Sequence, residues 1–244
     1  MILFLTSHMG GNRFPPSDPE PKPVLQENRF VENLKKYWPE KAKVLLIASD
    51  PCEHTILSSI ADDLSHTLPM AGLPVEFVLP CDDRNEEAAN DLSQYHVIIH
   101  AGGHVPTQNA FFHKLRLKEK YEAFRGIVIG ISAGTMNCAS TVYAHPELDG
   151  EAADPDYQRF IPGLGLTEHQ ILPHFQYLRT LTLDGMKAID EIAAADSRGH
   201  CFLCLNDGAY ALQKDGQTTV YGEAYILQHE VLTKVCNDNE SITM

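Results

Sequence analysis

A serine set among small residues, Gly130-Ile131-Ser132-Ala133-Gly134, offers this chain its clearest route to nucleophilic chemistry. It directly follows the apolar run Ile127-Val128-Ile129 and precedes a helix-compatible stretch. A run of that kind reads as a strand buried on both faces, so Ser132 would stand on a sharp strand-to-helix turn. Small residues on either side make such a turn sterically possible. The hydroxyl is then pushed clear of the sheet, at the positive end of a helix, where an attacking oxygen is useful. The bland alternative is a βα loop that matches by chance, or a serine that caps the helix.

A serine hydroxyl needs an adjacent base, the base needs an orienting acid, and the oxyanion needs preorganised donors. The chain has 12 histidines. His54, His66, His113 and His229 read as surface or helix-face residues. His174 follows Ile171-Leu172-Pro173, a strand-like run, and is expected at a strand end facing the same edge as Ser132; a packed histidine bonded to a carbonyl is the alternative. Asp207, in Cys204-Leu205-Asn206-Asp207-Gly208, again ends an apolar strand, although aspartate before glycine also serves purely local turns. The chain order Ser, His, Asp is not that of α/β-hydrolases. Two backbone donors are expected, the N–H of Ala133 and that of Gly103. The latter follows the strand-like Ile98-Ile99-His100, where the chain breaks into Gly102-Gly103. A turn that merely needs positive φ is the competing explanation for those glycines.

The elements that must position these residues alternate. Strands are expected at 2–6, 43–48, 75–79, 97–101 and 127–131. Helical stretches are expected at 26–38, 54–68, 109–124 and 181–195, the last carrying Leu183, Met186, Ile189 and Ala193 on one face. Alternation of this kind implies an α/β fold with a mainly parallel central sheet and helices on both faces. From about residue 200 the pattern changes. Residues 209–213 and 218–221 flank Lys214-Asp215-Gly216-Gln217, an Asp-Gly hairpin signal, so a small antiparallel extension near the C-terminus is expected. With no repeat and no linker, residues 1–244 read as a single domain. Two long irregular segments, Gly10 to Pro23 and Ala144 to Pro162, are expected at the carboxyl ends of the strands. Either a lid or substrate wall, or a solvated loop, fits them.

A net charge of −14 over 244 residues argues against nucleic acid or an anionic membrane as partner. Met1-Ile2-Leu3-Phe4-Leu5 reads as a first strand rather than a leader, and no apolar run is long enough to span a bilayer. A cytoplasmic protein is expected. The six cysteines do not read as a disulfide framework. In Cys201-Phe202-Leu203-Cys204 the spacing suits redox or metal chemistry, but the neighbours suit a buried strand, and two packed core thiols are expected. No metal and no organic cofactor is implied.

Taken together, Gly102-Gly103, Gly130-Ile131-Ser132-Ala133-Gly134 and Pro173-His174-Phe175 resemble the peptidase E (aspartyl dipeptidase) and cyanophycinase family of serine peptidases. The opening Ile2-Leu3-Phe4-Leu5-Thr6-Ser7 looks like that family's first strand. The resemblance implies a fold like class I glutamine amidotransferases, with serine in place of their cysteine, and a Ser-His-acid triad. Ser132 maps onto the nucleophile and His174 onto the base. Asp207 occupies the strand-end position before glycine where the family places a glutamate. Aspartate is shorter by a methylene, so Glu147 or Asp149, in the loop after the nucleophile helix, competes for that role.

Two departures bear on substrate. His104 stands where the family usually has asparagine, and is a candidate substrate contact or a cap for the following turn. After His174 the family is rich in Gly, Lys and Arg, whereas here only Arg179 is available to meet a substrate carboxylate. Aspartyl specificity is therefore not carried over. The expectation is a dipeptidase E-like serine peptidase acting on a small peptide or amide, with a homodimer admitted but specified by no residue. The competing class is a catalytically silent binding or regulatory protein on the same fold.

Overall fold

The computed structural model describes residues 1–13 and 17–244. Five strands, β1 (Ile2–Thr6), β2 (Ala42–Ile47), β3 (Val75–Cys81), β4 (Val97–His100) and β5 (Ile127–Ile131), run parallel in the order β1-β5-β4-β2-β3. β4 and β5 and most of β1 and β2 are buried, which is why each reads as an almost continuous apolar run. β3, at the edge, is only partly covered.

The later strands are shorter or antiparallel. β6 (Thr141–Tyr143) pairs with β7 (Phe160–Pro162). After β8 (Gln170–Leu172), the chain makes a hairpin of β9 (Thr182–Leu183) and β10 (Met186–Lys187). Then come β11 (Cys201–Leu205), β12 (Tyr210–Lys214), β13 (Gln217–Tyr221), β14 (Ala224–Gln228), β15 (Val231–Cys236) and β16 (Ser241–Thr243). β12, β13 and β16 extend the central sheet beyond β1, giving eight strands. The Asp215-Gly216 turn joins β12 to β13, both residues at positive φ, as a two-residue hairpin requires.

The antiparallel part is larger than the sequence implies. β8, β11, β14 and β15 form a second sheet, with β8 and β11 parallel. His174 and Asp207 therefore leave this second sheet and not the central one, a correction to the single-sheet expectation. A core around Tyr143, Phe175 and Phe202 packs on it, whereas Phe4, Phe30 and Tyr210 pack on the central sheet.

The helices are α1 (Phe30–Lys35), α2 (His54–Met70), α3 (Val105–Lys114), α4 (Leu117–Tyr121), α5 (Ala133–Met136) and α6 (Phe175–Leu178), with further short helical turns. Three expected helices differ. The one at 26–38 is cut short because Asn28 and Arg29 take positive φ. The one at 109–124 starts earlier, at Val105, and breaks where Arg116 does the same. The one at 181–195 is replaced, up to residue 187, by the β9–β10 hairpin. There Asp184-Gly185, at φ 51° and 80°, turns the chain, and helix begins only at Ala188.

Both irregular segments are tied down by backbone hydrogen bonds. In the first, Gly11 N–H donates to Lys22 O and Lys22 N–H to Asn12 O, while Phe14, Pro15 and Pro16 lie outside the described residues. In the second, Asp184 accepts the N–H groups of Gly150, Ala152 and Ala153 at 2.8–3.2 Å. Glu151 accepts those of Glu147 and Leu148. Backbone donors satisfied in this way make an ordered loop, as a substrate wall requires, although Glu147 and Asp149 stay exposed. Of the cysteine pair, Cys204 is in the core but Cys201 is exposed, because residues three apart on a strand face opposite ways. Among the described residues no helix is long and apolar enough to cross a membrane.

Candidate active site

Ser132 stands between β5 and α5 with φ 50° and ψ −114°, a conformation that costs a non-glycine residue about 1–3 kcal/mol. The surrounding residues hold it there. A Cβ on Gly130 would lie 2.7 Å from Thr135 Cα, so only glycine lets the helix start fold back on the strand. A Cβ on Gly134 would lie 2.5 Å from both the Cβ and the carbonyl oxygen of His100 on β4. Thr135 locks the turn to β1: its hydroxyl donates to Thr6 O and accepts from Thr6 N–H, while Ser132 N–H donates to the same Thr6 carbonyl. His100 beneath is wholly buried, bonded to the Tyr121 hydroxyl at 2.6 Å. Burial pushes its imidazole down to about 3, so it is neutral packing.

Gly102 and Gly103 follow β4, the neighbour of β5. A Cβ on Gly102 would sit 3.3 Å from Ser132 Cβ, which places the diglycine turn against the serine. The N–H groups of Gly103 and Ala133 have no hydrogen-bond acceptor among the described residues. A chain of buried amides sets the spacing between the two turns. Asn109 donates to Asn137, Asn137 donates to Gln108, and Gln108 donates to Ala101 O at 2.7 Å. None of these three was legible as a site residue, because amides on a helix carry no periodic signal that separates core from surface.

His174 and Asp207 leave the adjacent parallel strands β8 and β11, and His174 Nδ1 bonds Asp207 Oδ1 at 2.7 Å. Each side chain is 35% exposed. Burial alone would raise the Asp207 carboxyl, but the bond and charge of His174, with His8 nearby, hold it below its ordinary value. Gln176 accepts the Asp207 N–H. His174 itself adopts φ 53° and ψ 35°, and its N–H donates to Ser7 Oγ at 2.9 Å. The buried Ser7 hydroxyl donates in turn to Leu205 O at 3.3 Å, so one side chain after β1 fastens the ends of both β8 and β11. Sequence reading missed Ser7, although its place just past a strand end was the available signal. The Ser132 hydroxyl makes no hydrogen bond among the described residues. Resting catalytic pairs are often loose and tighten on substrate.

The remaining candidates are placed as follows. His104 has both ring nitrogens engaged, Nδ1 with the Thr107 hydroxyl at 2.8 Å and Nε2 with Glu151 at 2.9 Å. Burial tends to raise Glu151, but the N–H groups of Glu147 and Leu148, together with His104, bring it below its ordinary value. Arg179 is exposed, its guanidinium 5.9 Å and 6.0 Å from the ring centres of Phe175 and Tyr225. Glu147 and Asp149 are exposed in that loop and form no ion pair with His174, whose carboxylate partner is Asp207. Elsewhere on the strand-end edge, His54, Asp82 and Asp83 bring ligand atoms within 4.8 Å of one another. Asp82 is already neutralised by Arg84, and His54 pairs with Asp83 at 2.5 Å, so the cluster is satisfied without an ion.

The chain is thus an α/β protein with a strained serine on a strand-to-helix turn, at the carboxyl edge of the parallel strands of its central sheet. Residues 57–220 of the 244 match the model of peptidase family S51, and the chain belongs to that family. A solved structure titled "Putative Peptidase E Protein", from Listeria monocytogenes EGD-e, is similar over 96% of this chain and 97% of its own, at 14% identity and a TM-score of 0.50. That likeness concerns the fold. No curated protein matches the chain.

Proposed function

We propose that this protein is a serine-type peptidase that hydrolyses small peptide or amide substrates through an acyl-enzyme on Ser132. The observation that carries this reading is the strained Ser132 backbone, fixed by Gly130, Gly134 and Thr135 beside the Gly102-Gly103 turn. Strain held in place by so many contacts marks a functional position. The Ser132 oxygen attacks the substrate carbonyl while His174 Nε2 takes its proton. The tetrahedral oxyanion is met by the N–H groups of Gly103 and Ala133, and His174 returns the proton to the leaving amine. Water, activated by the same imidazole, then releases the acid. Asp207 at Nδ1 fixes the tautomer that leaves Nε2 free to accept.

In this reading Arg179 is the rim cation for a substrate carboxylate. His104 acts on substrate through the wall that it ties to the diglycine turn. Six free cysteines suit a reducing compartment, the cytoplasm. The test is a mass-detected hydrolysis screen of dipeptides, isoaspartyl dipeptides and simple esters, run beside Ser132→Ala. Cleavage that falls by at least about a thousandfold in the variant is the expected outcome. Cleavage that persists would remove Ser132 as nucleophile. The absence of any turnover or acylation in the parent protein would favour the silent binding protein, for which the unbonded Ser132 hydroxyl is the supporting observation.

A further inference from the structure

Ser49, just after β2, is 8% exposed, and its hydroxyl is buried without a hydrogen-bond partner among the described residues. Buried hydroxyls almost always find a partner, so this one calls for a reason. Its position supplies one. A Cβ on Gly103 would lie 2.1 Å from Ser49 Oγ, while one on Gly102 would lie 3.3 Å from Ser132 Cβ. Because β4 runs between β5 and β2, the diglycine turn has Ser132 on one flank and Ser49 on the other.

The carbonyl and N–H of one trans peptide point in opposite directions. If the Gly102 carbonyl turns toward Ser49, the Gly103 N–H turns toward Ser132. Two successive glycines leave that peptide free to rotate, and Gly103 sits at φ 154°, where side-chain-bearing residues rarely go. Its surroundings do not rotate with it. Gln108 holds the Ala101 carbonyl before the turn at 2.7 Å and reaches the Ala48 carbonyl beside Ser49 at 3.5 Å.

We propose that Ser49 is a positioning residue for acyl transfer: its hydroxyl donates to the Gly102 carbonyl as substrate binds, aiming the Gly103 N–H at the oxyanion. This rests on the serine-peptidase reading above. The hydroxyl is idle at rest and employed in the transition state, so removing it slows chemistry without loosening the fold.

The test is covalent labelling by a fluorophosphonate, followed by mass against time and concentration, together with thermal unfolding. The Ser132 oxygen attacks phosphorus, the P–O bond forms, fluoride leaves with the P–F electrons, and the hydroxyl proton passes to His174. Ser49→Ala is expected to lower the maximal labelling rate about tenfold, leave half-saturation within about twofold, and unfold no earlier than the parent. Ser49→Cys, which is slightly larger but keeps a weak donor, is expected to fall between. Labelling of Ser49→Ala at the parent rate overturns the proposal, and so does a slower rate accompanied by a lower unfolding midpoint or loss of folded protein. A parent protein that is not labelled on Ser132 overturns the serine-peptidase reading, and Ser49 with it.

Discussion

The two halves of the site are built to different standards. On the proposed reading, the nucleophile half belongs to the central sheet, where Ser132 is fixed by two sterically required glycines, a threonine bonded twice to β1, and buried amides. The base half belongs to the second sheet. His174 and Asp207 are each one-third exposed, and one hydrogen bond between them, with the Ser7 and Gln176 contacts, holds them. The contrast teaches where precision is kept. A strained backbone survives only where packing over-determines it, whereas an imidazole that must move a proton keeps some freedom.

Breaking the base half should give the largest effect. Asp207→Asn should cut turnover on the order of a thousandfold, because an amide no longer enforces the required tautomer, while the unfolding midpoint hardly moves. Glu147→Gln and Asp149→Asn should leave the rate unchanged. A collapse in either, with Asp207→Asn active, would move the acid into the wall. In the nucleophile half, Gly134→Ala should destabilise by about 3 kcal/mol in denaturant unfolding, since its methyl meets a backbone oxygen that cannot retreat. A neutral result would mean that the elbow is looser than its contacts imply.

The join between the halves is sharpened by Ser7→Ala. It strands the His174 N–H and should cost about 2 kcal/mol, with turnover lowered and substrate binding little changed. Glu151→Gln should show the smallest effect, about 1 kcal/mol at neutral pH. Its sign follows from the lowered Glu151 carboxyl. The stabilisation is complete above the ordinary value of 4.5 and fades as pH falls through the lower folded value. Parent and variant should therefore converge in acid, and a gap that persists there would assign the effect to packing.

The central sheet was legible because strands buried on both faces are continuous apolar runs, and their ends pointed to Ser132 and Gly103. His174 and Asp207 were legible for the same reason, but not the sheet they belong to. β14 pairs with β11, and β15 joins the sheet only through β14, contacts that leave no local period. Residues 181–195 misled because Leu183, Met186 and Ile189 recur at helical spacing, while the Asp184-Gly185 turn decides the structure through its own backbone and through the loop N–H groups that Asp184 accepts. The amide chain and the Ser7 bridge were invisible, since they exist only after distant elements meet.

β1 precedes the other described strands in the chain and yet is an inner member of its sheet, with Ile2 lying between Ile127 and Lys214. Ser7 must likewise wait for Leu205. A chain emerging from the ribosome therefore carries the Ser132 turn before the strand ends that present His174 and Asp207 exist. The central sheet thus closes around β1 only when β12 has been made, a pairing across a long stretch of chain.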